Sequence, residues 1–354
     1  MTGVPVLAPG APLLGIRNLS VSFDTDAGAL GVVDGVSFDI AAGETLALVG
    51  ESGSGKTVTA MSILRLIEAQ RGRVRADSIR FEGRELTTAS ERELRALRGR
   101  RIGMVFQEPM SSLNPVLTLG DQIAEPLTTH LGVPAEQARD EVVHLLRLVN
   151  MPAPERRVDE FPHQISGGMR QRAMIAMALA CRPSLLIADE PTTALDVTVQ
   201  AQILDLLGRL QRELGMAMLL ITHDLGVVAS VAQRALVMYA GRVVEEADVP
   251  SLFDNPRHPY TAGLFESLPR IDAPQGSSRR LRPIDGNVPD ALHFPSGCRF
   301  HPRCAFALGR CAERAPALRA ASPGRLAACW HTEEQPEMAY LGARPPLAGP
   351  GGAG

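Results

Sequence analysis

The chain carries no excess of either charge: 36 Lys and Arg stand against 39 Asp and Glu, a formal net charge of −3. That balance offers no electrostatic footprint for nucleic acid, and none is expected as a partner. No apolar run approaches the ~20 residues needed to cross a bilayer, so no spanning helix is expected. Met1 to Pro12 lacks a basic stretch followed by a long apolar one, and is expected not to act as a signal peptide. Cysteine is scarce, five in 354 residues, and no two are spaced Cys-x-x-Cys as in zinc ribbons. There is no long coiled-coil insertion, and the pattern G-x-x-x-x-G-K-[ST] occurs once. What remains is a chain that is 45% hydrophobic and long enough for an ample core and two or three domains or subdomains.

Two motifs far apart in sequence can handle one triphosphate. Gly50-Glu51-Ser52-Gly53-Ser54-Gly55-Lys56-Thr57 matches the G-x-x-x-x-G-K-[ST] phosphate loop. It follows the apolar run Thr45 to Val49, which reads as a buried strand, and precedes a helical pattern from Val58 to Ile67. The glycines let several backbone N–H groups face one anion, and the new helix adds its positive end. Lys56 can reach the β- and γ-phosphates, and the Thr57 hydroxyl can ligate Mg²⁺. Much later, Leu185-Leu186-Ile187-Ala188-Asp189-Glu190 is an apolar run ending in two carboxylates. A buried strand there puts Asp189 beside the metal and Glu190 toward an attacking water. A Gly/Ser-rich loop alone can be only a turn; the second motif argues against that.

Between them lies Ile165-Ser166-Gly167-Gly168-Met169-Arg170-Gln171-Arg172. Ser166 is placed to cap a helix whose first turn, with Gly167 and Gly168, bares its N–H groups as a second anion site. With these segments the chain resembles the nucleotide-binding subunit of an ABC transporter. The family's LSGGQ signature stands here as Ile165 to Met169, departing at the first and last positions. The resemblance implies that Ser166, Gly167 and Gly168 clamp the γ-phosphate of ATP held by a second ATPase subunit, a paralogue or a copy of this chain, in a nucleotide-sandwich dimer.

Other positions carry over one by one. Gln107, after Ile102 to Phe106, resembles the Q-loop glutamine that touches Mg²⁺ and water. Ala194-Leu195-Asp196 resembles the D-loop, and Asp196 is counted with the nucleotide site. His223 resembles the switch histidine; alone it would read as an ordinary strand-end histidine, and its place after Ile221-Thr222 and before Asp224 favours the switch. Phe23 is the candidate to stack on adenine, or is a plain core position in a strand. With Glu190 and His223 both present, this half of the site is expected to be catalytically competent.

The resemblance implies an α/β fold: a P-loop NTPase (RecA-like) core with an antiparallel β-subdomain, a helical subdomain and a small Cys-containing C-terminal extension. Residues 1–12 are expected to be flexible and 13–270 to form the nucleotide-binding domain. The helical subdomain falls at about 108–170, the extension at 271–340 and a disordered tail at 341–354. Along the chain, Leu14 to about Ile40 suggests antiparallel strands. Ile79 to Glu82 suggests a short strand, and Ser90 to Leu97 a charged helix. In Met110 to Glu160, Ile123, Leu127, Val142, Val143, Leu145, Leu146, Leu148 and Val149 suit amphipathic helices separated by prolines. From Ser184 strands alternate with helices, which implies a parallel sheet covered on both faces.

His258-Pro259-Tyr260-Thr261-Ala262-Gly263-Leu264 and Pro295-Ser296-Gly297-Cys298-Arg299-Phe300-His301-Pro302-Arg303-Cys304 resemble the C-terminal extension of the oligopeptide/dipeptide importer ATPases, with the nickel importers as close relatives. The implied function is the ATP-hydrolysing subunit of a peptide importer; import of nickel or another small solute is the alternative. Two transmembrane permease subunits, an extracytoplasmic substrate-binding protein and a peripheral place on the cytoplasmic face of the cell membrane are implied with it. A soluble ABC ATPase with no transport role, or a subunit that binds ATP without hydrolysing it, stands further off. Cys181 reads as a small buried residue. Cys298, Cys304, Cys311 and Cys329 cluster in the tail, where a metal centre competes with a metal-free arrangement in a reducing compartment. The resemblance points to a [4Fe–4S] cluster, with zinc as the alternative metal. The extension's core is expected to be separate from that of the ATP site.

Overall fold

The chain opens with two long strands, β1 (Leu14–Thr25) and β2 (Gly28–Ile40), and runs through β3 (Thr45–Val49) into the helix Lys56–Ile63. Three short strands follow, β4 (Gly72–Arg75), β5 (Ser78–Phe81) and β6 (Arg84–Glu85). The computed structural model describes residues 10–26, 28–193, 195–267, 283–335 and 338–342. Most of the expected flexible start and disordered tail therefore lies outside the described residues. So do Ala194 and the expected boundary at 270/271.

β1 pairs antiparallel with β2 from Leu14↔Ile40 to Thr25↔Gly28, and its other edge takes β4 and β5. Alternation sets which side is buried: Leu14, Ile16, Leu19 and Val21 point into the core. The phase changes at Asn18, whose φ of 52° accompanies a register shift between Ile16 and Leu19.

The second sheet adds β7 (Ile102–Val105), β8 (Leu185–Asp189), β9 (Ala217–Thr222), β10 (Arg234–Tyr239), β11 (Arg242–Asp248), β12 (Arg319–Ser322) and β13 (Arg325–Ala327). Its order is β12-β13-β11-β10-β3-β9-β8-β7. The strands from β10 to β7 are parallel. β3, β8 and β9 are buried along their whole length, as expected of strands covered on both faces. Between β7 and β8 the chain makes the helices Leu119–Pro126, Ala135–Leu148 and Gly167–Leu179. Ile123, Val142, Leu146, Met174 and Leu179 share one apolar core there, at the 3.6-residue spacing read from the sequence.

The strands read from the sequence beyond Ser184, β8, β9 and β10, lie in parallel as expected, and β11, which that reading did not include, turns back antiparallel on β10. One expectation needs correction. The C-terminal extension is not separate from the nucleotide core: β13 pairs with β11 through Glu245↔Ala327 and Glu246↔Leu326. The fully buried Glu245 carboxylate accepts the N–H groups of Arg257 (2.6 Å) and His258 (2.9 Å). Those bonds satisfy a charge-bearing group that would otherwise be costly to bury, and they fix the start of the helix Pro259–Glu266 against the sheet.

Candidate functional site

The order β3-β9-β8-β7 puts four parallel strands side by side, so their carboxyl ends share one edge. Val49 pairs with Thr222, Asp189 with Ile221, and Val105 with Ala188. The residues just beyond those ends are the phosphate loop, His223, Glu190 and Gln107. Open parallel sheets bind ligands along that edge.

The phosphate loop leaves β3 at Gly50 and enters the helix Lys56–Ile63 through Gly55, which has a φ of +96°. A Cβ on Gly50 would lie 2.2 Å from the Met238 carbonyl oxygen, so only glycine lets the loop pass β10. Ser52 and Gly53 are exposed at the bend. Lys56 Nζ donates to the carbonyls of Gly50 (2.8 Å) and Glu51 (2.9 Å), folding its chain back over the loop. Burial holds its ammonium below the usual lysine range, against the pull of Glu190 and Asp189.

Thr57 Oγ1 donates to Asp189 Oδ1 at 3.0 Å. Burial pushes the Asp189 carboxyl up to about 6. A hydroxyl and a carboxylate at this distance are hard oxygen donors suited to Mg²⁺ with phosphate oxygens, so these residues fit that ion. Beside them the Glu190 carboxylate is held on both oxygens. Oε2 accepts from Gln107 Nε2 (3.1 Å) and Thr193 Oγ1 (2.8 Å), and Oε1 lies 3.3 Å from His223 Nδ1. Glu190 itself has a φ of 46°, and its N–H donates to Ile221 O at 2.9 Å. The backbone turns sharply there and swings the side chain away from the strand. Thr193 is absent from the sequence-derived set. The signal for it was a hydroxyl three residues past Glu190, in a turn opened by Pro191.

Ser166, Gly167, Gly168 and Asp196 are not joined to this cluster by any hydrogen bond among the described residues. Ser166 caps the helix Gly167–Leu179 by accepting from Met169 N–H (3.4 Å), and Asp196 caps the helix Val197–Leu214 by accepting from Val199 N–H (2.9 Å). The two caps are neighbours, because a Cβ on Gly168 would meet Val199 at 2.8 Å. Val197 beside them is 83% exposed. Phe23 lies on β1 opposite Gly72, where a Cβ would meet its ring at 3.0 Å, and packs against the apolar core.

Cys298, Cys304, Cys311 and Cys329 line one cavity with His258, Phe300 and Phe306, with room for about 20 Å³ of solvent. Burial pushes the Cys298 thiol up to about 11 and the Cys304 thiol up to about 12. The donor type suits iron–sulfur chemistry. The arrangement does not: among the described residues no three His, Cys, Asp or Glu side chains stand around a common metal position. The expectation of a [4Fe–4S] cluster finds no support here, and what stands is a pocket of four buried or half-buried thiols. Cys181 is buried apart from them and donates to Pro126 O at 3.4 Å.

The phosphate loop, the acidic strand end and the carboxylate held at the sheet edge define a P-loop ATPase. Residues 33–193 match the family described as ABC transporter, and residues 244–311 match that described as Oligopeptide/dipeptide transporter, C-terminal region. A putative peptide import ATP-binding protein of Brucella ovis is 52% identical over 331 residues, covering 91% of this chain and 98% of the relative. A probable peptide ABC transporter ATP-binding protein of Sinorhizobium fredii is 51% identical over 322 residues, with 91% and 96% covered. An ATP-binding cassette solved as a dimer in a post-hydrolysis state with ADP and Pi superposes with a TM-score of 0.59 at 28% identity, covering 67% of this chain and 98% of that one. A cassette from Clostridium perfringens, part of an ABC transporter complex, gives 0.57 at 26%, with 69% and 91% covered. The chain belongs to the ABC transporter ATP-binding subunits with an oligopeptide/dipeptide-type C-terminal region, and it is an ATPase. Among the described residues no helix is long and apolar enough to cross a membrane.

Proposed function

We propose that this chain hydrolyses ATP to drive a membrane importer for peptides. One observation supports the chemistry above the others: the Glu190 carboxylate is oriented by Gln107, Thr193 and His223 beside the Thr57–Asp189 pair. A carboxylate so held can take a proton from water lined up on a terminal phosphate. Lys56 places a positive charge against the phosphates, and the loop N–H groups add theirs. Mg²⁺ held by Thr57, Asp189 and Gln107 would neutralise charge on the triphosphate. Phe23, packed on β1, is assigned to the adenine end of the site.

Ser166, Gly167, Gly168 and Asp196 are assigned to a second nucleotide, held by a partner ATPase subunit. Two helix caps packed side by side, next to the exposed Val197, support that reading. The segment 108–170, within a nucleotide-binding domain of 13–270, is assigned to contact with two permease subunits. The chain would then sit peripherally on the cytoplasmic face, with a substrate-binding protein delivering peptide from outside. The peptide substrate rests on the extension and on the names of the relatives. For residues 271–340 an iron–sulfur centre, with zinc as the alternative metal, rests on the thiol donor type alone, and the arrangement of the four side chains does not support it. Iron and acid-labile sulfide in anaerobically purified protein support it; four titratable thiols and no metal remove it.

Ser166→Arg tests the shared site. It should block hydrolysis of nucleotide bound to the partner's phosphate loop and spare nucleotide bound to its own chain. Impairment confined to its own chain would contradict the sandwich.

A further inference from the structure

The C-terminal extension reaches the phosphate loop itself. Arg303 lies in the short turn His301–Arg303, between Cys298 and Cys304 of the thiol pocket. Its guanidinium is 7% exposed and forks onto Glu51, the second residue of the phosphate loop: Nη1 to Oε2 at 2.8 Å and Nη2 to Oε1 at 3.3 Å. Its other donors reach the Tyr239 hydroxyl (3.3 Å), Ile284 O (3.3 Å) and Asp285 O (2.8 Å). All five N–H groups of the fork are thereby used, which holds a planar donor in one orientation.

Glu51 is gripped from a second side. Its N–H donates to the Tyr260 hydroxyl at 2.9 Å. Its carbonyl takes one of the three hydrogen bonds from Lys56 Nζ, at 2.9 Å. Tyr239, Tyr260 and Phe300 pack ring on ring beneath it, with centroids 4.7 to 5.3 Å apart, and Phe300 also lines the thiol pocket. One loop residue is therefore joined through its N–H, its carbonyl and its side chain to a helix, the phosphate lysine and the extension.

We propose that Arg303 and Tyr260 are positioning residues of the ATP site, and that the tightness of ATP binding follows the folded state of the four-thiol pocket through Arg303 and Glu51. The inference rests on the phosphate loop being the ATP site. With Glu51 held, the first bend of the loop and the lysine bonded to it are set before nucleotide arrives. With Glu51 released, the loop must be ordered by the nucleotide, which weakens binding and leaves the Glu190 cluster intact.

The test is equilibrium binding of Mg-ATP to the purified full chain, with hydrolysis in the assembled transporter as a second readout. Lys56→Ala sets the level of lost binding. Arg303→Ala should raise the Kd and KM for ATP about tenfold, the size of one charge-assisted contact, with kcat within about twofold. Arg303→Lys should recover part of the loss. Glu51→Gln, which leaves the extension untouched, should weaken binding in the same way even if Arg303→Ala fails to fold. Cys304→Ser should weaken ATP binding with Arg303 present and add nothing once Arg303 is alanine. Wild-type affinity in both Arg303→Ala and Glu51→Gln would overturn the positioning role. Additive losses in the double variant would overturn the link to the thiol pocket. Wild-type protein that binds no ATP would instead sink the ATPase reading, and the inference with it.

Discussion

Glu190→Gln separates chemistry from binding at this site. Glu190 Oε2 accepts two donors, Gln107 Nε2 and Thr193 Oγ1, so an amide oxygen can take its place with both bonds kept. The amide nitrogen then faces His223, where Oε1 stands at 3.3 Å. Size and shape are retained, and neither Lys56 nor Thr57 bonds to Glu190, so ATP affinity should stay within about twofold of wild type. What is lost is the group that can take the proton of the attacking water. A positioned base contributes about 10²–10⁴ in rate, or about 3–5 kcal/mol of barrier. Single-turnover hydrolysis of γ-labelled ATP by the assembled ATPase pair should fall by that factor, with nucleotide occupancy measured in the same samples. Turnover within a few-fold of wild type at full occupancy would refute the role given to Glu190.

Lys56→Ala should weaken ATP binding itself, because its ammonium folds back over the loop onto the Gly50 and Glu51 carbonyls; unchanged affinity in equilibrium dialysis would contradict that. Gly50→Ala places a Cβ 2.2 Å from the Met238 carbonyl oxygen, and should lower stability by about 1–3 kcal/mol and abolish nucleotide binding. A wild-type melting curve would show that the loop can move away from β10. His258 is fully buried with its Nδ1 accepting Tyr260 N–H at 3.1 Å, and burial pushes it down to about 3. The unfolded chain takes up that proton near pH 6.5 and the folded chain does not. Stability from this group is therefore complete above about pH 6.5 and lost on acidification, by up to about 1.4 kcal/mol per pH unit. Melting temperatures of wild type and His258→Gln should converge from pH 7 to pH 5; parallel curves would contradict the buried neutral imidazole.

Much of the site was legible because its residues sit at fixed offsets from apolar strands. Lys56, Gln107, Glu190 and His223 come soon after apolar runs that read as buried strands, Asp189 closes one of them, and parallel neighbours bring such ends together. Thr193 was harder to find, since a hydroxyl in a turn has many uses. The part played by Glu51, Tyr260 and Arg303 was not legible at all. They are separated by 209 and 252 positions along the chain, and nothing in spacing or periodicity says that the extension folds back onto the loop. The antiparallel return of β11 and the addition of β12 and β13 were missed for a related reason. Short half-exposed strands such as Arg319–Ser322 carry little alternation to read. For Phe23 the sequence allows both a core position and an adenine contact, and its packing against Gly72 is compatible with either role.

The measurement closest to the central claim is ATP hydrolysis by this chain assembled with its partner ATPase and permease subunits in proteoliposomes, with and without peptide-loaded binding protein. The account predicts hydrolysis that rises with peptide, accompanies peptide uptake, and is lost in both Lys56→Ala and Glu190→Gln. Hydrolysis indifferent to peptide, or peptide uptake that survives both substitutions, would contradict it.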